Sequence, residues 1–300
     1  MKIVFVHGRS QENKDQAELQ EVWLQAAIRG VAAAGLPALP ELSTTSAVLP
    51  YYGNLLFKLT EEAGREAFKR LVDRGAEAAA PPAEEQEFTQ NLVLEMAKAK
   101  GISLDQIAAE SGGGVVERNI QNWPAVLAAL RLLDRLPNVG QSSIELFTRD
   151  VWYYLTKKGL RLQIDTIVDA AIPKDEPCVV VSHSLGTIVA YNLLMNRTKR
   201  ANIRALITIG SPLGIEAIWS RLPSDTPPRK APEGVGHWFN ARDAQDTVAL
   251  YELSTNVYRG NPAVTNYSGV ENSSDNQHGI VQYLEDKVIA KAIYEAVKTP

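Results

Sequence analysis

Cysteine is almost absent from this 300-residue chain: Cys178 stands alone, which excludes an internal disulfide and any cysteine-based zinc cluster. It lies in an apolar run and reads as core. Positive charge is short as well. With 31 Lys and Arg against 35 Asp and Glu the net charge is −4, so there is no field to hold a polyanion, and nucleic acid is not an expected partner. No apolar run approaches the roughly 20 residues that span a bilayer, and Ile3 to Val6 is far too short for a signal-peptide core. A cytoplasmic protein with no transmembrane segment is therefore expected. Glycine is missing where a nucleotide-binding α/β protein would need it, because His7-Gly8-Arg9-Ser10-Gln11-Glu12 has one glycine and an acidic residue, a poor cradle for phosphate. Histidine is scarce, with only His7, His183, His237 and His278.

What is present is ordinary globular composition, 45% hydrophobic and 22% charged, enough to bury a large core. Lys2 to Val6 is a β-branched and aromatic run that reads as a strand, followed by a loop and a helix over Asp15 to Ala34 that ends at Gly35-Leu36-Pro37. Ala47 to Tyr52, closed by Gly53-Asn54, reads as a second strand. The next clear strand begins only at Cys178. About 120 residues lie between them, far more than a usual connection. Helical periodicity marks Glu61 to Arg74, Glu84 to Lys100, Leu104 to Glu110, Trp123 to Leu136, Ile144 to Lys158 and Arg161 to Ala171, separated by Pro81-Pro82, Gly112-Gly113-Gly114 and Pro137-Asn138. Ile203 to Ile209 is another β-branched run, ending in Gly210-Ser211-Pro212. Alternating strands and helices predict an α/β fold, a mostly parallel sheet with helices on both faces and its site at the C-terminal strand ends. The division expected is 1–58 as the first part of the α/β core, 59–160 as a helical insertion, and 161–300 as the second part of the core.

The most informative segment is Ser182-His183-Ser184-Leu185-Gly186, which follows the apolar run Cys178 to Val181 and opens the helical run Thr187 to Leu194. A serine at such a strand-to-helix corner is held in a strained backbone, its hydroxyl lifted from the sheet and the next amide aimed at a reacting carbonyl. Strand and helix nearly touch there, so small residues are needed two before and two after the serine, at Ser182 and Gly186. The segment resembles the nucleophile elbow of the α/β-hydrolase superfamily, with Ser182 where glycine is usual. By the same resemblance His7-Gly8, directly after the first strand, is similar to the His-Gly pair of many lipases and esterases that closes the loop donating the second oxyanion amide. The implied oxyanion donors are the amides of Leu185 and Arg9. In that superfamily two more strands precede this one, so the resemblance implies an N-terminally shortened sheet.

The superfamily order is Ser, then acid, then His. Downstream of Ser184, Trp238 to Phe239 reads as a short strand running into a polar loop that holds Asp243 and Asp246. Asp246, just before Thr247-Val248, matches the lipase-like acid; Asp243 is the alternative acid, or a residue that binds local backbone. His278, in the polar loop before the apolar-periodic stretch Ile280 to Val297, lies where the superfamily keeps its base. The resemblance thus implies a Ser184–Asp246–His278 triad acting on carboxylic esters through an acyl-enzyme, with no cofactor and no metal. An acyltransferase or thioesterase on the same triad, or a non-catalytic binding protein of this fold, are the alternatives. The apolar content of the insertion, Trp123 to Leu133 above all, and the Gly112-Gly113-Gly114 hinge candidate point to a cap over a small-molecule or lipid ester, with possible peripheral lipid contact; packing against the sheet or a dimer interface is the competing reading. The aromatic cluster Trp152-Tyr153-Tyr154 reads as core. Oligomeric state is left open.

Overall fold

The computed structural model describes residues 1–61, 83–112, 123–136, 141–196, 202–222, 229–273 and 276–298. The helix expected from Glu61 to Arg74 lies, after its first residue, outside the described residues, as do Gly113 and Gly114.

Six strands form one sheet in the order β2-β1-β3-β4-β6-β8, every neighbouring pair parallel. They are β1 (Lys2–Val6), β2 (Ala47–Val48), β3 (Cys178–His183), β4 (Ile203–Ile209), β6 (Val235–Asp243) and β8 (Val264–Val270). A two-residue parallel pair, β5 (Arg229–Lys230) with β7 (Tyr258–Arg259), stands apart. The three central strands are buried on both faces and accordingly read as continuous apolar runs instead of alternating ones.

Alternation along each strand divides the interior into two layers. Ile3, Phe5, Val179 and Val181 face α1 (Gln16–Ala33), through Leu19, Trp23 and Ala27, and the C-terminal helices, through Tyr283, Ile289 and Ile293. Val4, Val6, Cys178 and Val180 face the other way, onto Phe88, Val126, Tyr154 and Ile188. Helices therefore cover both faces, as an α/β fold requires.

α1 starts where Asp15 accepts hydrogen bonds from the amides of Ala17 and Glu18 at 2.8 and 3.0 Å, and it ends before Gly35 in the left-handed conformation at φ 69°. The helices of the long connection are α2 (Ala83–Ala99), α3 (Leu104–Glu110), α4 (Trp123–Asp134), α5 (Gln141–Thr156) and α6 (Lys158–Ala171). Those of the stretch 59–160 share one apolar cluster with the sheet instead of building a core apart from it. Trp152, Tyr153 and Tyr154 are buried in that cluster.

Several boundaries differ from the sequence reading. The strand expected over Ala47 to Tyr52 pairs only at Ala47–Val48: the Leu49 amide donates to Gln20 and its carbonyl accepts from Gln16, both on α1, the Tyr52 amide donates to the His7 side chain, and residues 53–61 are already helical. The two-residue strand expected at Trp238–Phe239 is nine residues long. β8, poor in apolar residues, is a sheet edge and showed no run to detect. The single helix expected over Ile280 to Val297 breaks at Asp286, whose carboxylate accepts from the amides of Val288 and Ile289; this separates α9 (Ile280–Glu285) from α10 (Lys287–Lys298), the short α8 (Glu216–Trp219) lying between β4 and β5. Among the described residues no helix is long and apolar enough to cross a membrane.

Candidate active site

Ser184 sits between β3 and α7 (Leu185–Asn196) with φ at 57°, a left-handed conformation that a non-glycine residue adopts only where its surroundings enforce it. The enforcement is visible. The Ser184 amide donates to the carbonyl of Ile209 at 3.2 Å, and the Ser184 carbonyl accepts from the Thr187 amide at 2.9 Å and the Thr187 hydroxyl at 2.7 Å. Gly186 is small by necessity: a Cβ there would lie 2.3 Å from the Val6 carbonyl oxygen and 2.4 Å from that of His7. Gly8 is constrained in the same way, since its Cβ would lie 2.7 Å from Ser184 Cβ and 3.2 Å from Oγ. The loop after β1 thus rests directly on the elbow.

His7 holds that loop. Its Nε2 accepts from the Tyr52 amide at 3.1 Å, so the ring proton is on Nδ1, which donates to the Gly8 carbonyl at 2.7 Å. The Tyr52 hydroxyl donates to the His7 carbonyl, and the two rings stack at 3.9 Å. Burial lowers the His7 pKa to about 4, so the ring is neutral near pH 7. Leu185 is the first residue of α7, and its amide therefore has no acceptor within the helix. The Arg9 side chain extends to α5, where its Nε donates to Asp150 Oδ2 at 3.0 Å.

The two aspartates, Asp243 at the end of β6 and Asp246 in the loop after it, make different contacts. Asp246, fully buried, accepts from His278 Nδ1 at 2.7 Å and from the Tyr283 hydroxyl at 2.8 Å through Oδ2, and from the Val248 amide at 2.7 Å through Oδ1. Burial by itself would raise its pKa; the His278 interaction and these hydrogen bonds outweigh that and hold it below the usual carboxylate range. Asp243 binds backbone instead, accepting from the amides of Gln245 at 2.7 Å and Asn272 at 2.8 Å. Of the two candidate acids, the structure brings Asp246 to His278 and gives Asp243 the shaping of the surrounding loops.

With Nδ1 donating to Asp246, His278 presents Nε2 as an acceptor. That atom and Ser184 Oγ are both buried and neither has a hydrogen-bond partner among the described residues. Both residues line one cavity of about 470 Å³. Its apolar wall comes from α1 (Trp23), from α2 and α5 of the long connection (Met96, Ile144, Phe147), and from Val248 and Ile280. The hinge proposed at Gly112-Gly113-Gly114 lies mostly outside the described residues.

Three contributors carried no sequence signal, since each acts over a long separation in the chain. Tyr283 meets Asp246 from α9. Lys100, at the end of α2, donates through Nζ to the carbonyls of Gln245 and Asp246 at 2.6 and 3.3 Å. His183 donates from Nε2 to the His278 carbonyl at 3.0 Å, its ring centroid 4.6 Å from that of His278. Burial, and then the neighbouring His278, push the His183 pKa far down, so it is a neutral prop. Gly210, at φ 55°, makes room for the pair: a Cβ there would be 3.2 Å from both imidazoles.

Among the described residues no group of three or more His, Cys, Asp or Glu could hold a metal ion. Fold and site together define an α/β protein with a serine at a strand-to-helix corner and an Asp-paired histidine lining the same cavity. No protein-family model, curated protein or solved structure matches the chain.

Proposed function

We propose that the chain is a serine hydrolase of the α/β-hydrolase kind that cleaves carboxylic esters through an acyl-enzyme. The observation that carries this is the pairing of His278 Nδ1 with buried Asp246 at 2.7 Å, which leaves Nε2 unpartnered on the cavity that also holds Ser184 Oγ.

In the acylation step the Ser184 hydroxyl oxygen bonds to the ester carbonyl carbon while His278 Nε2 takes the hydroxyl proton. Negative charge collects on the former carbonyl oxygen, where the Leu185 and Arg9 amides are the donors. Collapse of this intermediate breaks the bond to the alcohol oxygen, which leaves with the proton from Nε2. Water then repeats the sequence on the acyl-enzyme, giving the acid and free serine. Asp246 holds the imidazole tautomer and stabilises the imidazolium; its buried carboxylate is charged for this because hydrogen bonds hold its pKa low. The helices between β2 and β3 act as a cap, since α2 and α5 supply much of the apolar wall, and a hydrophobic acyl chain suits that wall.

The test is fluorophosphonate labelling followed by peptide mapping, together with turnover of 4-nitrophenyl esters of graded chain length. Label on Ser184, and ester turnover abolished in a folded Ser184→Ala variant, is the expected result. Wild-type turnover by that variant would refute the proposal.

A further inference from the structure

The walls of the cavity are chemically lopsided. Trp23, Met96, Ile144, Phe147 and Val248 supply apolar lining, Arg9 and Lys14 supply two cations, and no Asp or Glu is among the described lining residues. Among the described residues, the hydrogen-bond partners of these two cations balance their charge only in part. Asp150 is shared: its Oδ2 accepts from Arg9 at 3.0 Å, and its Oδ1 accepts from Arg149 Nε and Nη2 at 3.1 and 3.0 Å. Two guanidiniums on one carboxylate leave a net positive group. The Lys14 ammonium donates to the Gln11 amide oxygen at 3.0 Å, a neutral partner that cancels no charge.

Since the chain as a whole has net charge −4, this local excess runs against its general field. We infer that the preferred ester of this site carries an anionic group, a carboxylate or phosphate, alongside its apolar chain; the inference rests on the hydrolase reading above. The Arg9 guanidinium is planar and held by Asp150 through Nε, which leaves its terminal nitrogens as a preformed fork for a carboxylate or phosphate. Lys14 adds a second, mobile cation at the same wall. The apolar residues of the same lining take the chain, so one substrate satisfies both.

Two matched substrate pairs test this and distinguish where the anion sits. One pair is 4-nitrophenyl hexanoate against the 4-nitrophenyl half-ester of adipic acid, which places a carboxylate on the acyl side. The other is a monoacylglycerol against the lysophosphatidate of the same chain, which places a phosphate on the alcohol side. In one pair the anionic member is expected to have the higher kcat/KM by about tenfold, the size of one charge-assisted hydrogen bond. The preference should shrink in about 0.5 M salt, where screening is short-ranged. Lys14→Gln and Arg9→Gln should each lower the ratio of anionic to neutral turnover several-fold. The ratio separates recognition from catalysis, because any loss of oxyanion stabilisation lowers both members equally.

Equal kcat/KM within both pairs, or a preference untouched by both substitutions, would overturn the inference while labelling and neutral-ester turnover left the hydrolase reading standing. Failure of all four substrates together with no fluorophosphonate labelling would remove both.

Discussion

His7 shows how one buried side chain links pH to the site. Its pKa, lowered from 6.5 to about 4 by burial, means that the unfolded chain binds a proton between those values and the folded one does not. Stability is then lost as pH falls from 6.5 toward 4, by an amount on the order of 3 kcal/mol from this group. His183, also lowered by burial, acts in the same direction. Asp165, raised by burial to about 6, opposes both, since its protonated form is favoured by the fold and stability is gained as pH falls through 6. A His7→Gln variant isolates the first effect, because the other two groups are common to both proteins. Urea midpoints measured across pH 4 to 7 should fall less steeply on acidification for the variant than for the native chain; parallel curves would show that His7 is not held neutral. At Ser184, the nucleophile of the proposed mechanism, the expected outcome for Ser184→Ala is a folded protein without esterase turnover, checked by circular dichroism beside the kinetic assay.

Elements carry the site's residues to one another. Lys100 ties the end of α2 to the loop of Asp246 by two hydrogen bonds to carbonyls, and it is a positioning residue in that role. Lys100→Met is expected to lower kcat about tenfold with KM little changed, because the acid is displaced and not the substrate wall; Lys100→Arg, which keeps the donor, should recover most of the loss. An unchanged kcat in Lys100→Met would show that the loop stands without its tether. The packing of α1 on α9 works similarly from the opposite face. Gly30 lies so close to α9 that a Cβ would sit 2.2 Å from the Leu284 carbonyl oxygen. Gly30→Ala should therefore cost about 1–3 kcal/mol, seen as a lower Tm. It should also reduce kcat, since α9 carries Tyr283 and begins directly after the His278 loop. A variant with native Tm and native kcat would show that the two helices can part freely.

Across the whole molecule, the long connection is part of the structure that supports the sheet. Its described helices share one apolar cluster with β1, β3 and β4, and the opposite cluster closes the other face. Trp152 and Trp238 belong to the first cluster and Trp23 to the second, so tryptophan fluorescence reports on both faces. We expect fluorescence and far-ultraviolet circular dichroism to give coincident urea transitions. A separate early transition in fluorescence would mark the helices between β2 and β3 as an independent unit.

Central elements were legible in the sequence because their local chemistry is redundant. Unbroken β-branched runs marked β1, β3 and β4, and the residues around Ser184 marked a corner without reference to distant parts. Scarcity helped with His278, the one histidine that follows both aspartates in a polar loop. The edge was not legible: β8 buries little and has no apolar signature, and β2 ends where side chains of α1 take the backbone groups of Leu49. Local sequence thus determined which residues were available for chemistry and in what order. Only the tertiary structure showed that Asp246, and not Asp243 at the end of β6, meets His278. Their difference comes from Tyr283, Asn272 and His278, which approach from other elements, and contacts over such separations leave no trace in local pattern.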